Sequence, residues 1–412
     1  MQVFAFQGFR YTAKTGDPGR MAAPPFDQVD DRLRDDLHSR SPFHFSWFTR
    51  SVARGVDGEH EAAGAVHSKW IEEGAVARDS DPALYPYVIE VPGEEPRLAL
   101  CCCLDVGSPE QSPLKPHEQT VEKPLANRLA LLRETRVDPE PVMLLADDSG
   151  SLDTLLAEDL SAAAPLVAHT DGGGVRHVLY SISEARRIEV YKQALAGRAA
   201  TIADGHHRCR TAQIYARETG ARPGNPAATK MAVLISLESR GLRIDPIHRE
   251  LAQPLSTMGM QAGVCARTPL EVGNGNAIAA AVAAAEGPTI GVWTRGGSPE
   301  LWRLDPEMAP DDTPLRARDL PAVLLHYMLL RAVGVPLVAS VDGTITYRSD
   351  PEDLFSALDR GDAGTGVWLP PMDPAVFARA VSAGDLLPPK STRFLPKLAS
   401  GLVWLGHDSA LL

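Results

Sequence analysis

Asp204-Gly205-His206-His207-Arg208 sets one carboxylate, two imidazoles and a guanidinium around a glycine. A short apolar run, Ala199 to Ala203, precedes it, and a helix-compatible run, Thr211 to Ala216, follows. A strand, a tight polar turn and a helix start in that order form an anion-holding arrangement, because first-turn N–H groups and the helix dipole face the turn. Gly205 allows positive φ or a close backbone approach to a ligand. Arg208 offers a planar fork for phosphate, and His206 and His207 add donors that can become cationic. The alternative is a helix capped by Asp204 with surface histidines.

Upstream lies Lys115-Pro116-His117-Glu118-Gln119-Thr120. Pro116 fixes a turn, and His117-Glu118 is expected at the start of a helix reaching about Glu134. Glu118 is a candidate base for a substrate hydroxyl. The competing role is that of a first-turn glutamate complementing the helix dipole. Three further segments carry chemistry-bearing side chains. Lys390, Ser391, Thr392 and Lys397, flanked by prolines, read as a rigid cationic loop suited to an anionic ligand. His248 and Arg249, after Pro246, are placed to reach phosphate or carboxylate unless they are a surface pair. Pro24-Pro25-Phe26-Asp27 is a stiff turn whose Asp27 either binds an ammonium group or only shapes the turn.

The elements that must position these groups follow from periodicity. Helices are expected over Asp30–His38, Glu59–Glu73, Ser183–Ala196, Ala277–Glu286 and Leu320–Val333, the last with Asp319 as N-cap and Pro321 in its first turn. Strands are expected over Tyr85–Val91 and Arg97–Leu104, paired around Pro92–Pro96, and over Pro141–Leu145, Met231–Leu237 and Thr289–Thr294. Ser108 to Pro116 reads as a proline-rich linker, and Asp171–Gly174 as a loop. The resulting fold class is α/β of mixed α+β type. Its expected regions are an N-terminal α/β region over 1–105, a catalytic core over 106–250 and a C-terminal α/β region over 251–412.

The chain has 412 residues, 44% of them hydrophobic, enough for a sizeable core. Lys and Arg number 41 against 53 Asp and Glu, a net charge of −12, which argues against nucleic acid as a partner. No run of 18 apolar residues suggests a membrane span, and the N-terminus lacks the pattern of a signal peptide. Cys101-Cys102-Cys103 are neighbours on one expected strand, and Cys209 and Cys265 stand alone. That is a reduced, cytoplasmic pattern with no metal-binding spacing. The expected partner is a small-molecule substrate, and oligomeric state is unmarked in the sequence.

The ordered pair Pro-His-Glu-Gln and Asp-Gly-His-His-Arg resembles the free L-serine kinases of the ParB/sulfiredoxin-like superfamily. Across almost the whole chain the sequence is similar to the bacterial domain-of-unknown-function family 1015. The matching segments are Ala23–Asp27, His117–Thr120, Ala203–Arg208, Asp245–Arg249 and Pro388–Lys397. Three positions depart from that family: Phe26 replaces the usual tyrosine, Cys209 an aromatic residue, and His44 an asparagine. The resemblance implies a ParB/sulfiredoxin-like core between flanking α/β regions. It implies phosphorylation of free L-serine to O-phosphoserine, with Glu118 as base and His207 and Asp204 as catalytic partners. Gly205, His206, Arg208, Lys390, Ser391, Thr392 and Lys397 would hold phosphates, and Asp204 would also hold Mg²⁺. Asp27, His117, His248 and Arg249 would contact substrate. The chain has neither a Walker loop nor a kinase Gly-rich loop, so ATP, ADP and pyrophosphate all remain candidate donors. A nucleotide- or phosphate-binding regulator without turnover and a phosphate-ester hydrolase are the competing functions.

Overall fold

The computed structural model describes residues 1–52, 58–107, 112, 114–118, 125–254, 263–335 and 344–412. The chain divides into two units. One gathers 1–115, 125–242 and 396–412; the other gathers 116–118 and 243–395. Both are mixtures of helices and sheets, so the fold is a mixed α/β fold with several sheets.

The first unit is built on a nine-stranded mixed sheet. Its centre holds β1 (Tyr85–Glu90) and β2 (Arg97–Asp105), paired antiparallel as expected around the Pro92–Pro96 turn. Helix α1 is Leu125–Thr135, followed by β3 (Val142–Ala146), β4 (Ala200–Asp204), α2 (His206–Thr219) and β5 (Thr229–Ser236). β3 runs parallel to β5 and antiparallel to β4, and β5 pairs antiparallel with β2. Every residue of β3 and β5 is buried, the mark of strands covered on both faces. Leu144, Leu234 and Cys102 pack there with Leu152 and Tyr191 from the covering helices. Cys101, Cys102 and Cys103 are all buried, and burial pushes each thiol up, which makes them inert packing groups.

In the second unit, β6 (His248–Leu251) and β7 (Thr365–Trp368) belong to a six-stranded antiparallel sheet. Neighbours on β7 point to opposite faces. Val367 packs with Leu325 and Leu329 on one face, and Trp368 with Ile278 and Leu354 on the other. A separate two-stranded ribbon joins Arg243–Asp245 to Arg393–Leu395.

Several local expectations change. Glu118 does not begin a helix: it forms a parallel bridge with Leu387, and the His117 carbonyl accepts from Leu387 N–H at 2.8 Å. Pro116 lacks an N–H, and pairing with a distant segment fixes the backbone here as extended. The described helix begins at Leu125, while Gln119, Thr120 and most of the expected 108–116 linker lie outside the described residues. Leu114–Lys115 of that linker is a strand parallel to β4. Asp319 caps nothing. Leu320 is the N-cap, Pro321–Leu324 is α-helical, and Leu325–Leu330 is a π-helix, which together form α3. Asp30 lies just outside its helix and caps Asp31–Arg40 by accepting from Leu33 N–H.

Candidate functional site

β4 ends at Asp204, and Gly205 turns the chain with φ of 97° into α2. A Cβ on Gly205 would lie 2.7 Å from Val142 Cγ1, so both conformation and space require glycine. Gly205, not Asp204, is the N-cap, and no side chain caps α2. Asp204 is therefore available for ion pairing. Its Oδ2 accepts from Arg208 Nη2 at 2.6 Å, and its Oδ1 accepts from Lys397 Nζ at 2.5 Å. Burial opposes ionisation of Asp204, but Arg208, Lys397 and His206 outweigh it and hold the carboxyl below its ordinary value. Arg208 also donates to the Pro141 carbonyl, which fixes its fork beside the turn.

Charges that the sequence reading did not single out lie alongside. Glu140 is 2% exposed; its Oε1 accepts from Phe26 N–H and Ser400 Oγ, both at 2.9 Å. Lys230, at the head of an apolar strand, is buried against Asp138 and donates to the Glu140 carbonyl at 2.7 Å. The Arg128 guanidinium covers the Phe26 ring at 3.8 Å, so the aromatic residue that departs from the family pattern serves as a cation platform. Asp27 is exposed in a 3₁₀ turn, and its charge favours the Arg208 cation. A cavity of about 40 Å³ is lined by Arg128, Glu140, Arg208 and Lys230 with Leu131 and Tyr215. A lysine preceding five apolar residues, Met231 to Ile235, was the available signal for this cluster.

The second unit holds the other half of the expected chemistry. The Glu118 side chain is 15% exposed, and its Oε2 lies 3.8 Å from His117 Nε2. Burial pushes the Glu118 carboxyl up to about 7, against the Lys390 charge, the N–H groups of Ser391 and Lys390, and the Arg249 charge. A carboxyl with that balance is poised to exchange a proton near neutrality. His117 Nε2 is 2.7 Å from Thr392 Oγ1. Lys390 is exposed and takes a left-handed φ of 58°, while Ser391 Oγ donates to the Pro388 carbonyl at 2.7 Å.

The segment 388–397 is thus divided: Lys390, Ser391 and Thr392 accompany Glu118 and His117, whereas Lys397 accompanies Asp204 and Arg208. His206 and His207 are half-buried on the first turn of α2, where the His207 carbonyl accepts from Thr211 Oγ1. His248 and Arg249 are not a surface pair; both are buried in β6, at 1% and 0% exposure. Burial pushes the His248 ring down to about 4, and its Nδ1 accepts from Leu369 N–H. Arg249 donates to the Ile247 and Lys390 carbonyls and to His326 Nε2. Of the other departures, Cys209 is buried with its thiol pushed up to about 12, and His44 is buried and paired with Ser46 Oγ at 2.8 Å.

The residues do not fit a protein-held Mg²⁺ at Asp204, whose two oxygens each serve a cation. Among the described residues no group of three or more His, Cys, Asp or Glu side chains is placed to hold a metal ion. Among them too, no helix is long and apolar enough to cross a membrane.

Fold and residues together define a mixed α/β protein with a strand–turn–helix cluster of opposed charges in one unit and a buried, near-neutral carboxyl in the other. The chain belongs to the DUF1015 family, described as a protein of unknown function, whose profile matches residues 3–264. No curated protein matches it. Among solved structures, a conserved hypothetical protein from Pyrococcus furiosus is similar over 73% of this chain and 95% of its own, with 12% identity and a TM-score of 0.34. A free serine kinase in complex with AMP is similar over 73% of this chain and 92% of its own, with 14% identity and a TM-score of 0.37. SbnI from Staphylococcus aureus, with a C-terminal truncation, is similar over 72% of this chain and 83% of its own, with 11% identity and a TM-score of 0.37.

Proposed function

We propose that the protein is a small-molecule kinase that phosphorylates the hydroxyl of free L-serine. The observation that carries the reading is Glu118, a carboxyl that burial pushes up to about 7. A base of that strength is half-ionised near neutrality and accepts a hydroxyl proton as the oxygen becomes nucleophilic. The serine Oγ forms a bond to the terminal phosphorus of the donor. The bond from that phosphorus to its bridging oxygen breaks, and the electron pair leaves with the departing phosphate. Arg208, Lys397, His206 and the Gly205 turn serve the donor phosphates, with Asp204 holding the two cations in place and His207 beside them. His117 and Thr392 border the base. Asp27 belongs to the substrate side of the reading, whereas His248, buried in β6 with its Nδ1 accepting from Leu369 N–H, holds the strand and not the substrate. Lys390 and Ser391 present cation and backbone N–H groups to Glu118. Residues 106–250 then form a ParB/sulfiredoxin-like catalytic core between the 1–105 and 251–412 regions. ATP, ADP and pyrophosphate are the candidate donors, and Mg²⁺ travels with the donor phosphates.

The test crosses those three donors with serine, threonine and homoserine and detects phosphorylated product by mass spectrometry. Serine is expected to be the productive acceptor. Glu118→Gln should lower transfer by roughly 10²–10⁴, the usual worth of a positioned base, with donor binding little changed. Arg208→Ala should weaken donor binding as well as rate. Full activity in Glu118→Gln would show that the base is misnamed. Phosphate release without an acceptor would mark a hydrolase, and donor binding without turnover a regulator.

A further inference from the structure

We propose that Arg249 and His326 are positioning residues for Glu118: His326 fixes the Arg249 fork, and the fork holds the Lys390–Ser391 peptide with its N–H on the Glu118 carboxylate. The inference rests on Glu118 being the base, and it gives Arg249 a role other than substrate contact.

The chain of contacts runs through one unit. Arg249 Nη2 donates to the Lys390 carbonyl at 3.0 Å. That carbonyl and the Ser391 N–H belong to the same trans peptide and point in opposite directions. The Ser391 N–H in turn favours the charged form of Glu118. A donor on one side of this peptide therefore orients the other side toward the carboxylate. The peptide needs such a hold, because Lys390 is a non-glycine residue in the left-handed region with φ of 58°. Arg249 is fully buried; its three hydrogen-bond partners are two carbonyls and an imidazole, none of them an anion, and its cation lies 4.7 Å from the Tyr347 ring. The fork is thus spent on placing backbone.

His326 supplies the remaining constraint. It lies in the π-helical part of α3, a rare geometry that recurs at functional positions. Arg249 Nε donates to its Nε2 at 3.2 Å. Burial keeps the ring neutral, so accepting at Nε2 places its proton on Nδ1.

The charged and titratable groups facing Glu118 in this unit are His117, Lys390, Arg249 and Tyr347. A direct reading of Glu118 separates it from these: carbon-13 NMR titration of protein labelled at the glutamate side-chain carboxyl, with the Glu118 signal assigned by its loss in Glu118→Gln. The parent midpoint is expected at about 7. His326→Leu removes the acceptor, frees the fork and should raise the midpoint by about one pH unit. His326→Gln keeps an acceptor and should return it to the parent value. Arg249→Lys keeps the charge but loses the fork, and should raise it as His326→Leu does. A parental midpoint in folded His326→Leu, or an equal rise in His326→Gln, overturns the proposal. Should His326→Leu not fold, a parental midpoint in Arg249→Lys overturns it as well. The titration needs no substrate. A moved midpoint in a protein that transfers no phosphate defeats the kinase reading alone, and an unmoved one in an active kinase defeats this proposal alone.

Discussion

Glu118→Gln should stabilise the protein at pH 8 and leave it unchanged at pH 4. The Glu118 carboxyl titrates at about 7 in the folded chain against an ordinary value of 4.5. The folded state therefore holds a proton that the unfolded state has released anywhere between those values. The stability this contributes is fully present below about 4.5 and is lost as pH rises through about 7. A difference of about 2.5 pH units at 1.36 kcal/mol each amounts to about 3 kcal/mol. With its side chain only 15% exposed, little solvent screening reduces that figure. The glutamine stays neutral throughout and loses nothing as pH rises. Urea unfolding of parent and variant, followed by fluorescence at several pH values, gives the difference in unfolding free energy. That difference should grow by about 3 kcal/mol in favour of the glutamine between pH 4 and 8, most of it between pH 5 and 7. A difference that stays flat across this range would refute the claim that burial dominates the environment of Glu118, and with it the case for Glu118 as a base tuned to neutrality.

Three further outcomes follow from other contacts. Lys230→Met leaves the Asp138 carboxylate buried without its cation and should cost about 3–5 kcal/mol, whereas adding Asp138→Leu should recover part of that loss in the same urea titration. Gly205→Ala forces a side chain into φ of 97° and against Val142, and should cost about 2 kcal/mol by thermal unfolding. Lys397→Ala strips Asp204 of one of its two cations and should cost about 1–2 kcal/mol; a loss equal to that of Arg208→Ala in donor binding would show that both cations serve the phosphates.

Much of the local structure was legible because short-range chemistry decides it. The turn at Gly205 follows from a glycine between an apolar run and a helix-compatible run, since few other residues tolerate its backbone geometry. The Tyr85–Glu90 and Arg97–Asp105 hairpin follows from β-favouring runs around Pro92–Pro96. The strand Thr289–Thr294 matches its expectation to the residue. The charged character of the 388–397 segment was also plain, but its division was not. Which carboxylate each lysine meets depends on how the chain returns from residues hundreds of positions away.

The sequence by itself determined which residues carry charge and where the backbone must turn, because side-chain chemistry and backbone sterics are properties of a few adjacent residues. Only the tertiary structure decided the state of those charges. His248 and Arg249 read equally well as a surface pair until β6 buried them, and Glu118 read as a first-turn glutamate until Leu387 drew it into an extended bridge. The carboxyl that titrates near 7 and the carboxyl held low at Asp204 are the same functional group. What separates them is desolvation and the placement of Lys390, Arg249, Lys397 and Arg208, which long-range packing sets and local sequence does not.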